Sequence, residues 1–185
     1  MRGMNARTVD KRLIRILDDA LTACCRDLFH AYGMELEAQV VHDASPHHDL
    51  GAAIGFGGEQ IKGSLVLFTT SQVAIHVYPI ANSADQSMLL DWVAELANQL
   101  VGRMKLRLLP EGIELSLSTP VALSGERLGR SAPRADLSRK AVLAGPAGQV
   151  QLWLDVVVTP GFELCDPQSR PTVDAPIEEG ALLLF

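Results

Sequence analysis

Asp91, Glu95 and Asn98 recur at helical spacing between Ser83 and Leu109. With about 100° of rotation per residue and Asp91 as origin, Glu95, Asn98 and Gly102 all fall within about 40° of it, on one line. Leu89, Val93, Leu96, Leu100 and Met104 fall on the opposite side. When that apolar stripe packs inward, two carboxylates and a carboxamide face solvent together, about one turn apart. The chemistry on offer is hydrogen bonding and charge recognition of another molecule. Gly102 extends the line without a side chain, so a second surface could come close there. A glycine inside a helix costs about 1 kcal/mol against alanine, which calls for a reason. On spacing alone, a solvated face of an amphipathic helix accounts for the same residues and is the commoner cause.

Other residues capable of chemistry carry weaker patterns. His42, Asp43, His47, His48 and Asp49 cluster around one segment, but a metal site needs three or four convergent ligands, and polar loop histidines are far more frequent. No metal is expected. Gly55-Phe56-Gly57-Gly58 lacks the helix and the Gly-Lys-Ser/Thr that a phosphate loop requires, and reads as a hairpin. Ser124 and Ser131 sit in no nucleophile-elbow context. Trp92 falls at the edge of the helix's apolar stripe, as a core residue or an exposed anchor for a partner.

The elements that must position these residues follow from periodicity. A first helix is predicted from about Thr8 to Tyr32, with Leu13, Leu17, Leu21, Cys24 and Leu28 on one stripe. Thr8 is its expected N-cap and Gly33 its expected stop. Strand patterns follow at 35–42, 52–56 and 64–68, the last two joined by Gly57-Gly58-Glu59-Gln60. Residues 71–78 suit either a strand or a short helix capped by Thr70 or Ser71. Ser83 and Gln86 form a capping-box pattern for the second helix, which Pro110 should end. Strands are expected near 112–118 and 121–124, then an Arg-rich loop over 125–139. A hairpin should pair 141–144 with 150–158.

The chain has 185 residues, 48% of them hydrophobic, enough apolar surface for a folded domain. Its net charge of −6 argues against broad nucleic-acid binding. The charge is uneven: residues 1–101 carry 7 basic and 12 acidic side chains, residues 102–140 carry 8 and 4, and residues 141–185 carry 1 and 6. The basic middle block suits an acidic partner or simply a solvated face and loop. Three cysteines, two of them adjacent, make no disulfide framework, and no apolar run is long enough for a membrane span. A cytoplasmic protein that binds neither nucleic acid nor membrane is expected.

The segment Asp91-Trp92-Val93-Ala94-Glu95-Leu96-Ala97-Asn98, followed by Val101-Gly102, Ser118-Thr119-Pro120 and Ser124-Gly125-Glu126, resembles the chemotaxis phosphatase family of CheX, CheC and FliY. The family motif is Asp or Ser, three residues, Glu, two residues, Asn, then a later Pro. Asp91, Glu95, Asn98 and Pro120 fill those places, and Lys62-Gly63-Ser64-Leu65-Val66 is similar to the family's strand entry. The resemblance covers about residues 8–158. Overlaying the first helix on the second puts Asp18 under Asp91, Thr22 under Glu95 and Cys25 under Asn98, so the first helix lacks the motif.

This resemblance implies an α/β (α+β) domain over residues 1–158, with two long helices packed on an antiparallel or mixed β-sheet. A proline-bearing acidic extension would occupy 159–185. One active helix per chain resembles CheX, which carries over a possible homodimer. The implied function is hydrolysis of the aspartyl phosphate on a CheY-type response-regulator receiver. Asn98 would orient the attacking water, as an amide cannot serve as a useful general base. Glu95 would dock on the receiver's lysine. Asp91 and Gly102 would line the partner contact, and Pro120 would be structural. No cofactor is expected on this chain; Mg²⁺ would sit on the receiver. The alternative on the same fold is a non-catalytic receiver-binding or flagellar-switch-like scaffold.

Overall fold

The computed structural model describes residues 9–39, 47–80, 84–126, 128–130 and 135–164. Thr8, Ser83, His42, Asp43, Ser131 and the extension beyond residue 164, each named in the sequence reading, lie outside the described residues. Helix α1 spans Lys11–Ala31, and Asp10 is its N-cap: its carboxylate accepts from the Arg12 amide at 2.7 Å. The predicted cap two residues earlier is thereby replaced. A carboxylate here both satisfies an orphan N–H and faces the positive end of the helix dipole. At the other end Gly33 takes φ +79° and its N–H bonds to the His30 carbonyl, so the expected stop is present.

Helix α3, Gln86–Leu108, has its cap two residues after the expected Ser83 for the same reason. Asp85 is the N-cap, accepting from the Met88 amide at 2.9 Å, and this puts Gln86 in the first turn rather than at the reciprocal position of a capping box. Pro110 follows within a 3₁₀ turn, Leu109–Glu111, and ends the helix as predicted. The undecided segment is a short helix, α2 (Ser71–His76), capped by Thr70, whose hydroxyl accepts from the Val73 amide.

Seven strands form one sheet: β1 (Glu37–Ala38), β2 (Leu50–Gly57), β3 (Ile61–Thr69), β4 (Ser116–Leu117), β5 (Val121–Ser124), β6 (Leu137–Gly145) and β7 (Gly148–Val158). The order is β1-β6-β7-β3-β2-β4, with β5 beside β4 on the same side of β2, and every pairing is antiparallel. Both predicted hairpins are present, β2–β3 and β6–β7. Gly58 belongs to the first because a Cβ there would lie 2.0 Å from the Glu114 carbonyl oxygen. Strand β6 begins inside the segment read as loop. Ser138 and Lys140 face outward, while Leu137, Arg139 and Ala141 alternate toward the helices, a period-two pattern masked by the charges.

One face of the sheet is the core face. Ala52, Ile54, Leu65, Leu67, Leu152 and Leu154 are opposite one another in register and are almost completely buried. Helices α1 and α3 pack together, α3 on β2, β3 and β5, and α1 on β6. The outer face carries Arg130, from the connection between β5 and β6. There Arg130 lies over the Trp153 ring at 4.6 Å, pairs with Asp155 and donates to Ser138. Arg139 forks onto Asp18 of α1, with Nε to Oδ1 at 2.6 Å. Part of the basic block is thus spent inside the fold. The first residues after β7 also return to the domain: Thr159 donates its N–H to the Gln60 carbonyl, and Phe162 packs on the core. No helix among the described residues is long and apolar enough to cross a membrane.

Candidate functional site

The rotation of α3 about its axis decides what it shows to solvent. Leu89, Val93, Leu96, Ala97, Leu100, Val101 and Met104 are buried on its inner side. Each large member of that stripe contributes roughly 1.5–3 kcal/mol, far more than any surface preference of the polar residues. Trp92 fixes the flank: it is 8% exposed, and the rings of Tyr32 and Tyr78 meet it edge-on at 4.9 and 5.9 Å. Of the two readings of Trp92, the structure favours the core residue.

Asp91 and Glu95 are accordingly exposed, while Asn98 and Gly102 are half-buried on the same line. Only two of the four touch each other through polar atoms: Asn98 Nδ2 donates to Glu95 Oε2 at 3.5 Å. No donor among the described residues reaches Asn98 Oδ1. Nothing lies within 4 Å of where a Gly102 Cβ would be. The core therefore does not require a glycine there.

Pro120 is on another element, the connection 118–120 between β4 and β5, and is half-exposed. Ser118 holds this connection to β2 by two bonds, its N–H to the Gly55 carbonyl and its hydroxyl accepting from the Gly55 amide. The start of α3 lines a cleft with Ser124, and its end lines another with Ser116. Pro120 lies between the end of β4 and the start of β5. It has no hydrogen bond to Asp91, Glu95 or Asn98.

Two residues that periodicity did not single out touch the site. Gln99 Nε2 donates to Glu95 Oε1 at 2.9 Å, and Tyr32 Oη donates to Gln99 Oε1 at 3.0 Å. Gln99 stands four residues after Glu95, a spacing visible in sequence. Tyr32 comes from the end of α1, and no local signal announces it.

The remaining candidates take structural places. Among the described residues no group of three or more His, Cys, Asp or Glu could hold a metal ion. His48 is buried against the Phe68 ring, and burial pushes its pKa below the usual histidine value, partly offset by neighbouring Gln151. Asp49 accepts from the Ser71 amide and hydroxyl at the start of α2. Burial raises the Cys24 thiol to about 11 and Cys25 further still, so neither is a thiolate nucleophile near neutral pH. A hollow of about 540 Å³ lies beside the start of α1, lined by Arg12, Asp136, Phe162 and neighbours, and includes none of the α3 line.

Residues 50–139 match the family model of the chemotaxis phosphatase CheX. Over that stretch, just under half of its length, the chain is similar to the CheX family. The matched stretch contains α3 and Pro120. No curated protein matches the chain significantly in sequence. Among solved structures, the chemotaxis protein CheX from Vibrio vulnificus is 19% identical with a TM-score of 0.66, covering 75% of this chain and 97% of that one. The CheX of a CheX–CheY–BeF₃–Mg²⁺ complex from Borrelia burgdorferi is 16% identical with a TM-score of 0.57, covering 78% and 97%. The FliM middle domain from H. pylori is 12% identical with a TM-score of 0.52, covering 80% and 92%. At these identities the likeness concerns the fold, and it supports the predicted CheX/CheC-like architecture.

Proposed function

We propose that this CheX-like protein hydrolyses the aspartyl phosphate of a CheY-type receiver domain. The observation that carries the reading is that Glu95 and Asn98 are adjacent on the solvent side of α3, with no donor among the described residues on the Asn98 carbonyl oxygen. The match to the chemotaxis phosphatase family model supports the reaction class, and the Borrelia burgdorferi structure, in which a similar fold is in complex with CheY, supports the partner.

An acyl phosphate is already activated, so little chemical equipment is needed. Water attacks phosphorus, the bond to the aspartyl oxygen breaks, and the receiver's carboxylate and inorganic phosphate result. Asn98 holds that water in line through Oδ1. Glu95 accepts a charge-assisted hydrogen bond from the receiver's lysine and sets the register, with Asp91 and the bare backbone at Gly102 completing the contact. Under this reading Mg²⁺ belongs to the receiver. The test is phosphate release from a panel of phosphorylated receivers, with and without this protein. Acceleration for at least one receiver supports the proposal; receiver binding with no acceleration for any would contradict it. That second outcome is what the scaffold reading expects, and the likeness to the FliM middle domain is the observation in its favour.

A further inference from the structure

We propose that Gln99, held by Tyr32, is a positioning residue that presents Glu95 to the partner; this rests on the hydrolase reading above. The polarity of the chain of hydrogen bonds is forced by chemistry. An ionised Glu95 can only accept, so the Gln99 amide must offer it Nε2, which leaves Oε1 toward Tyr32, whose hydroxyl must then donate. Every donor and acceptor is matched in one direction.

The anchor of this chain is rigid. Tyr32 stands at the end of α1, beside the Gly33 stop, with its ring edge-on to buried Trp92 at 4.9 Å and nearly perpendicular at 87°. Without Gln99, Glu95 would be an exposed side chain with three rotatable bonds and only the 3.5 Å contact from Asn98. With Gln99, its Oε1 is tied back to the junction of α1 and α3, and rotamer entropy is lost before the partner arrives rather than on binding. The remaining lone pairs stay free for a cation. The arrangement also couples the motif-bearing helix to the motif-free one.

The test pairs kinetics with a readout of the chain itself. In Gln99→Leu, KM for the phosphorylated receiver should rise about fivefold, the cost of ordering the Glu95 side chain on binding, with kcat within about twofold. Tyr32→Phe should move KM the same way by a smaller factor. In a Glu95→Ala background neither change should add to the effect. Independently of activity, the Gln99 side-chain amide resonance should shift in both Tyr32→Phe and Glu95→Ala. An unmoved resonance in both would overturn the proposal, as would a Gln99→Leu effect on KM undiminished in Glu95→Ala. If the wild type accelerates no receiver, the hydrolase reading fails, and the resonance still decides whether Gln99 positions Glu95.

Discussion

Helices α1 and α3 have similar lengths, 21 and 23 residues, and pack against each other in the same layer. At the places where α3 carries Asp91, Glu95, Asn98 and Gly102, the overlaid α1 carries Asp18, Thr22, Cys25 and Phe29. Asp18 is committed to Arg139 of β6, and Cys25 and Phe29 are completely buried. In α3 Asp91 and Glu95 are exposed, Asn98 and Gly102 are half-buried, and Glu95 accepts from Asn98 and Gln99 of its own helix. In that overlay the two buried stripes lie one residue out of step. One line closes a core; the other is left for a neighbour. A carboxylate becomes available for recognition only when the fold leaves it without an internal cation.

This contrast can be broken most severely at Asn98. Asn98→Ala should lower receiver dephosphorylation about 10²-fold, equivalent to about 2.7 kcal/mol of barrier, with receiver affinity unchanged. The converse change, Cys25→Asn, gives α1 the missing amide. It should confer no second activity and destabilise the fold by about 1–3 kcal/mol, read by denaturant unfolding, because the amide would be buried without partners. Glu95→Lys should weaken receiver binding about tenfold through like-charge repulsion, measured by titration calorimetry. Gly102→Ala sharpens the comparison with effects of opposite sign. It should stabilise the helix by up to about 1 kcal/mol, since the added methyl meets open space, while weakening receiver binding a few-fold.

Much of this arrangement was legible in sequence. The apolar stripe of α3 placed Asp91, Glu95 and Asn98 outward because hydrophobic burial outweighs every competing term there. The Gly-bearing hairpins and the Pro110 stop followed from backbone constraints that local residues impose. The caps were misplaced because Thr8 and Ser83 compete with Asp10 and Asp85, and a carboxylate nearer the first buried turn reaches the orphan amides better. The opening of β6 was hidden by Ser138, Arg139 and Lys140, the last two of which find a carboxylate and an aromatic ring only in three dimensions. Tyr32 was invisible for a similar reason: its bond to Gln99 joins residues 67 apart in the chain.

The measurement closest to the central claim is the single-turnover decay of a phosphorylated receiver over a range of protein concentrations. The wild type should give a saturating acceleration. Asn98→Ala should lower the plateau about 10²-fold and leave the half-saturating concentration in place, whereas Glu95→Lys should move that concentration and largely spare the plateau. A full plateau in Asn98→Ala would contradict the account, because the water would then be oriented by some other group.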